Sequence, residues 1–310
     1  MSKITINKLA SRTWNRLGVN DAQIEWDEEN TVSLGDESVC AKSGEEPKTV
    51  RFSVSDNGGY SSRNIFIDAE KDSSVTVFET CTAKNPLYVN MKITVQENAA
   101  VKLIQLINPS DGAVLRHETS ADCAENAKFE IISVLIGDGD IYSDNHIELV
   151  GDKSSLSAET AYLGENGRMI DYNITSDHYG KSTKSGINAS GALRDSAKKV
   201  FRGTIDFKKG SADSVGSENE TVLMLGDDAV NKTVPLILCA EENVEGTHGA
   251  TIGELDEETL FYFESRGIGR EEAEKIMAYA AVQRLMHMSG DEKFAEQVGA
   301  ALGLKDENEE

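Results

Sequence analysis

The chain has 310 residues, with 31 Lys and Arg against 54 Asp and Glu, a formal net charge of −23 and a pI near 4.6. A balance this acidic repels the phosphates of nucleic acids and of anionic membrane surfaces, so neither is an expected partner. Residues 1–20 lack the continuous apolar stretch of a secretory leader and no run of about 18 apolar residues occurs anywhere, so a cytoplasmic protein is expected.

Residues 1–30, with Trp14, Leu17 and Trp26, read as a short helical N-terminal segment. Residues 31–252 change character to short runs rich in Val, Ile, Phe, Tyr and Thr, some alternating, as in Tyr88-Val-Asn-Met-Lys-Ile-Thr-Val95. Polar turns recur between them. Glu70-Lys-Asp-Ser-Ser74, Glu97-Asn-Ala-Ala100, Glu125-Asn-Ala-Lys128 and Gly151-Asp-Lys-Ser-Ser155 each precede an apolar run, and Asn98, Asn126 and Lys153 lie 28 and 27 residues apart. A fixed period of this length marks a solenoid, whose single coil buries its apolar face only when neighbours stack on it. Two runs and two turns per period fit a flattened parallel β-helix of about seven coils over residues 50–250. An antiparallel sandwich fits the long period poorly, and Asn57-Gly58 and Asn166-Gly167 are too few hairpin signals to build one.

Residues 253–304 read as a helical domain: a short helix over 256–265 ending at Gly267, a second over 271–287 with Ala273, Ile276, Met277, Ala280, Leu285 and Met288 on its inner face, and a third opened by a capping box at Ser289-Gly-Asp-Glu292. Phe294, Val298 and Leu302 face inward in the third, and residues 305–310 are an acidic tail. The fold class is mainly β, a parallel β-helix with helical ends.

Cys40, Cys81, Cys123 and Cys239 form no C-x-x-C pair, so any metal site is assembled from distant segments or between chains. Gly180-Lys-Ser-Thr183 lacks the upstream glycine of a phosphate loop, since Thr175 stands there, and no helical pattern follows. Asp138 and Asp140 resemble the loop acids of carbohydrate-active β-helix lyases, which keeps a metal-dependent lyase as an alternative of another class, although solvated turn residues explain them better. His117, His146, His178, His248 and His287, taken singly, read as hydrogen-bonded structural residues.

Residues 201–287 carry a sharper signal. Phe201-Arg-Gly-Thr-Ile-Asp-Phe207, the stretch from Glu218-Asn-Glu-Thr-Val-Leu-Met-Leu-Gly226 to Thr233-Val-Pro235, and Thr247-His-Gly-Ala-Thr-Ile-Gly-Glu-Leu-Asp256 followed by Leu260-Phe-Tyr262 and Ser265-Arg-Gly-Ile268 together resemble the SufB/SufD family of iron–sulfur cluster assembly proteins. Arg12-Thr-Trp-Asn-Arg-Leu-Gly-Val19 and His178 with Thr183 and Ser185 are similar to looser family elements. The resemblance implies a right-handed parallel β-helix and a non-enzymatic scaffold for a transient iron–sulfur cluster at a subunit interface. Such a chain binds no nucleotide itself. It pairs through its β-helix with a SufB-like subunit, or with itself as the sole homodimeric scaffold of a minimal system, and it docks a SufC-like ATPase through its C-terminal helices.

The same resemblance points to a SufD-like role. His248 stands at the family's conserved-motif histidine, whereas Glu220 stands where a SufB-type sulfur-accepting cysteine falls and Gly249 where a SufB-type glutamate falls. Gly246 replaces a cysteine often found two residues before that histidine. Candidate cluster or iron ligands are therefore His248, Glu220 and Cys239: an imidazole and a thiolate on one coil, and a carboxylate. Each has an ordinary counterpart, an interface hydrogen bond for His248, a solvated strand residue for Glu220 and a buried strand thiol for Cys239. Phe261, Tyr262, Arg266 and Gly267 fall in the implied ATPase-docking region, where the aromatics also suit the core of a helical bundle.

Overall fold

The computed structural model describes residues 1–13 and 15–304; Trp14 and the expected acidic tail at 305–310 lie outside the described residues. The N-terminal segment corrects the helical expectation. Ser2-Lys-Ile-Thr-Ile6 and Ala22-Gln-Ile-Glu-Trp26 alternate with period two, and they form strands β1 (Ser2–Ile6) and β2 (Ala22–Trp26), paired antiparallel. Among the segment's described residues, Asn15–Leu17 alone are helical, as one 3-10 turn. The buried face of this ribbon, Ile6, Ala22, Ile24 and Trp26, lies on Tyr60, Tyr88, Val114 and Tyr142, with Trp26 edge-on to Tyr60 at 5.2 Å between ring centroids.

Residues 32–254 build two eight-stranded sheets, and every pairing within them is parallel. The first sheet holds β3 (Val32–Ala41), β5 (Ser61–Ala69), β7 (Leu87–Val95), β9 (Val114–Cys123), β11 (Asp140–Leu149), β13 (Met169–His178), β15 (Lys198–Phe207) and β17 (Val230–Cys239), in that spatial order. The second holds β4 (Lys48–Ser55), β6 (Ser74–Ala83), β8 (Ala100–Pro109), β10 (Lys128–Leu135), β12 (Ser155–Gly164), β14 (Lys184–Leu193), β16 (Ser214–Met224) and β18 (Val244–Glu254). Each coil contributes one strand to each sheet, so there are eight coils, one more than expected because the first begins at Val32. Coil length is not constant: 26 residues separate Ser74 from its partner Ala100, and 32 separate Lys198 from Val230. Asn57-Gly58 and Asn166-Gly167 close coil corners between parallel strands, not hairpins.

The period is set by one repeated corner. Asp72, Asn98, Asn126, Lys153, Ser182 and Asp213 all adopt left-handed backbone with φ between 55° and 63°, the conformation that Asn and Asp tolerate best among residues with a side chain. These corners stack: the Asn98 amide N–H donates to the Glu125 carbonyl (2.9 Å) and that of Asn126 to the Asp152 carbonyl (2.9 Å). Their side chains continue the ladder, Asn126 Nδ2 donating to Asn98 Oδ1 (3.1 Å) and Asn98 Nδ2 to Asp72 Oδ1 (2.8 Å). Gly180 stands in such a corner, pressed against the Gly151 carbonyl with no room for a Cβ, and strand β14 follows it, so Gly180-Lys-Ser-Thr183 has no phosphate-loop geometry.

The C-terminal helices are α1 (Glu257–Ser265), α2 (Arg270–Ser289) and α3 (Glu292–Ala301). α2 and α3 pack on the outer face of the second sheet, and α1 packs against α2. Ala278, Tyr279, Val282 and Leu285 of α2, with Phe294 and Val298 of α3, bury Phe78, Ile104, Leu106, Ile132, Val134, Ala161 and Ala192 of the sheet, at about 1.5–3 kcal/mol for each large side chain covered. Packing on a sheet explains the misjudged face of α2: Ala273 and Leu285 are buried as expected, but Ile276 and Met288 are exposed. The expected capping box is also absent. Asp291 caps α3 by accepting from the Phe294 N–H (2.8 Å), while Ser289 donates back to the Met286 carbonyl (2.6 Å) and ends α2. Among the described residues, no helix is long and apolar enough to cross a membrane.

Candidate functional site

Strands β17 and β18 form the last coil, and among the described residues nothing stacks beyond them, so both are sheet edges. β17 is half-buried along most of its length and β18 is almost wholly exposed. The opposite end is defended as edge strands commonly are. There β3 carries an irregular register between Ser33 and Asp36 beside the charged Asp36 and Glu37, and β4 carries Lys48 and Arg51. Between Thr247 and Gly253, β18 has no formally charged residue, and it exposes Ile252. Pro235 sits in β17, a position that only an edge strand accommodates without losing a ladder hydrogen bond.

His248 lies in β18 in register with Glu218 of β16, and Cys239 ends β17 in register with Phe207 of β15. Glu218 and Phe207 are buried in the coil interior, and parallel register keeps partners on one side of a sheet, so His248 and Cys239 face inward at an end with no lid. Both are exposed for that reason, which corrects the expectation of a buried Cys239. Gly246 faces the same way, and a Cβ there would press on Ile237 Cγ2 at 3.0 Å and the Phe207 ring at 3.1 Å. Gly249 alternates to the other side, close to Asn219 Oδ1.

Glu220 belongs to a different environment. It is 2% exposed, not solvated, because β16 turns Gly216, Glu218, Glu220 and Val222 inward. Its carboxylate accepts from the Lys199 ammonium, from the Tyr162 hydroxyl (3.0 Å) and from the Thr233 hydroxyl (2.5 Å). Burial pulls the Lys199 ammonium down to about 8 against the opposing pull of Glu220. Glu218, also buried, has one carboxylate oxygen with no partner and lies so close over Gly203 that no Cβ fits there. Burial first, and the Glu220 charge second, push its carboxyl up to about 8. Lys199, Glu218, Tyr162 and Thr233 were not singled out from the sequence. The available signal was phase: Phe201, Ile205 and Phe207 are apolar at alternating positions, which puts Lys199 on their side.

The three expected ligands therefore do not converge. Among the described residues, His/Cys/Asp/Glu groups with ligand atoms within 4.8 Å of one another are Glu79–Cys81–His117 and His146–Glu148–Asp177, and neither includes His248, Glu220 or Cys239. What the chain offers is an open coil carrying an imidazole and a thiol at its mouth, above a buried acid–lysine cluster.

Helix α1 leads away from this mouth. Asp256 caps it, accepting from the Thr259 N–H (2.6 Å), and Gly267 follows it with φ of 82°. Leu260 is its buried residue, whereas Phe261 and Tyr262 are 71% and 56% exposed, so neither serves as bundle core. Arg266 lies over the Tyr262 ring at 5.2 Å. Adjacent exposed aromatics with a stacked guanidinium are typical of docking surfaces.

The remaining sequence candidates are structural. His178 joins Thr183 Oγ1 (2.7 Å) and Ser185 Oγ (2.9 Å) inside a coil corner, and burial drops its imidazole to about 4. Asp140 accepts from the Met169 N–H (2.9 Å) at a corner, beside the exposed Asp138.

Two stacked parallel sheets wound from successive coils, with a histidine and a cysteine at the open mouth of the last described coil, define a parallel β-solenoid with C-terminal helices. The sequence profile for the SUF system FeS cluster assembly, SufBD core domain, matches residues 52–281, and the chain belongs to this family. It is 29% identical over 222 residues to the iron-sulfur cluster assembly protein SufD of Bacillus subtilis, covering 70% of this chain and 51% of that protein. It is 29% identical over 248 residues to an iron-sulfur cluster assembly SufBD family protein of Pyrococcus horikoshii (77% and 54%), and 24% identical over 243 residues to SufD of Escherichia coli (77% and 57%). The chain spans about half the length of these curated relatives.

Proposed function

We propose that this chain is a SufD-like, non-enzymatic scaffold subunit of an iron–sulfur cluster assembly complex that works in the cytoplasm. Its last coil pairs with a SufB-like subunit, and its C-terminal helices bind a SufC-like ATPase. The observation that carries the reading is the edge of β18, uncharged from Thr247 to Gly253 and without a bulge, an exposed ladder that a partner strand can extend beside the Lys232- and Pro235-bearing β17. A transient cluster or iron ion forming there is cargo of the assembly. His248 and Cys239 would offer it an imidazole and a thiolate at the subunit junction, and Glu220 would act from within the coil by fixing Lys199 and Tyr162.

Phe261, Tyr262 and Arg266, with Gly267 setting the turn after them, form the ATPase-facing surface. Mixing the chain with a SufC-type ATPase on size-exclusion chromatography tests this. Co-elution is expected, and the double variant Phe261→Ala/Tyr262→Ala should weaken it by about 100-fold or more, as loss of two interface aromatics does. Absence of co-elution under every nucleotide condition overturns the reading. Self-association through the same edge, as in a minimal system with one scaffold type, is the outcome to look for when no SufB-like subunit is added.

A further inference from the structure

We propose that the interior of the solenoid holds a structural zinc-class divalent cation on Glu79, Cys81, Gln105 and His117. The four residues come from three successive coils, on β6, β8 and β9, and all face inward. Each is 0–1% exposed, beside apolar core residues that include Val77, Leu103, Ile107 and Leu115. The carboxylate, thiol and imidazole ligand atoms lie within 4.8 Å of one another. Tetrahedral zinc with bonds of about 2.0–2.3 Å draws such atoms to roughly 3–4 Å, a small adjustment.

Hydrogen bonding alone leaves this cluster unsatisfied. His117 Nε2 is 3.0 Å from Glu79 Oε2 and 3.1 Å from Gln105 Nε2, and Gln105 Nε2 is itself 2.6 Å from Glu79 Oε2. An imidazole N–H that donates to the carboxylate faces an amide donor; one that accepts from the amide meets the carboxylate with a lone pair. The second carboxylate oxygen, Glu79 Oε1, is buried without a hydrogen bond of ordinary geometry, although the Cys81 thiol lies against this carboxylate. A cation removes both conflicts. Turning the Gln105 amide, whose two ends are assigned by their neighbours, aims Oε1 at the centre, and the Ser133 hydroxyl now 3.0 Å from Oε1 accepts from the amide instead. The donor set is then one thiolate, one imidazole, one carboxylate and one amide oxygen. That mixture suits a borderline-soft, four-coordinate ion with no open position, and His117 Nδ1 keeps the Thr119 hydroxyl at 3.4 Å behind it. Binding releases the Cys81 thiol proton to solvent, so the ion enters during folding, before the coils close.

The test uses the full chain carrying Cys239→Ser, so that the exposed thiol contributes nothing. Expressed with zinc and dialysed against a chelator, it should retain about one zinc per chain, and zinc-edge X-ray absorption should count one sulfur among the nearest atoms. Adding Cys81→Ser or His117→Gln should lower the retained zinc at least tenfold. Retention below about a tenth of an equivalent, a sulfur-free shell, or zinc undiminished in the Cys81→Ser chain overturns the proposal. The sulfur count on the parent decides even where a variant does not fold.

Discussion

Replacing Lys199 by Met is expected to destabilise the end of the solenoid by about 3–5 kcal/mol, the usual cost of removing one partner from a buried ion pair. Lys199 is 1% exposed, and among the described residues its ammonium is the one cation bonded to Glu220, in a space that also holds the Glu218 carboxyl. Without it, Glu220 keeps the Tyr162 and Thr233 hydroxyls as its donors among the described residues. The double change Lys199→Met/Glu220→Leu should recover most of the loss, because two apolar side chains of similar volume replace the pair without leaving a charge behind. Urea unfolding of the three proteins reads this directly. A loss below about 1 kcal/mol in the single variant would mean that water reaches the pair and screens it. Unfolding here reports mainly on the last coils, since a solenoid is held by contacts between neighbouring repeats.

The second large effect is a pH dependence from Glu218. Its carboxyl is raised from 4.5 to about 8, chiefly by burial, so the folded chain holds a proton that the unfolded chain releases. Stability from this group is fully present below about pH 4.5 and falls as pH climbs toward 8, by roughly 3–5 kcal/mol in all. Glu218→Gln keeps the shape with a neutral amide. It should match the wild type near pH 5 and exceed it by about that amount above pH 8. His178 works in the opposite sense: lowered from 6.5 to about 4 by burial, it makes the fold less stable as pH drops through that interval. The Glu218→Gln chain should therefore retain an acid-side loss while its alkaline-side loss disappears. Parallel curves for wild type and variant from pH 5 to 9 would place Glu218 in contact with solvent.

Much of the fold was legible because one corner repeats. Asp72, Asn98 and Asn126 satisfy a left-handed backbone and each other's side chains, so turn chemistry and period coincide in the sequence. The N-terminal ribbon was missed because two five-residue alternations are short, and its strands gain their burial from Tyr60, Tyr88 and Tyr142, which are distant in sequence. The face of α2 was misread because the helix packs on a sheet and not on helical neighbours.

The candidate site residues were legible as members of a motif, and their environments were not. His248 and the α1 aromatics sit in a contiguous motif, and all of them are exposed. Glu220 and Cys239 exchanged the environments expected of them. Which face of β16 points inward depends on its neighbours Gly203 and Tyr162, and whether Cys239 is covered depends on the absence of a following coil. Neither is written in local composition.

Hydrogen exchange on the chain alone and mixed with a SufB-type subunit tests the central claim most directly. The account predicts slowed exchange over Val230–Cys239 and Val244–Glu254 on complex formation, with β3 and β4 at the other end unchanged. A complex that leaves those two strands exchanging at their free rates, or no complex with either a SufB-type subunit or a second copy, would contradict it.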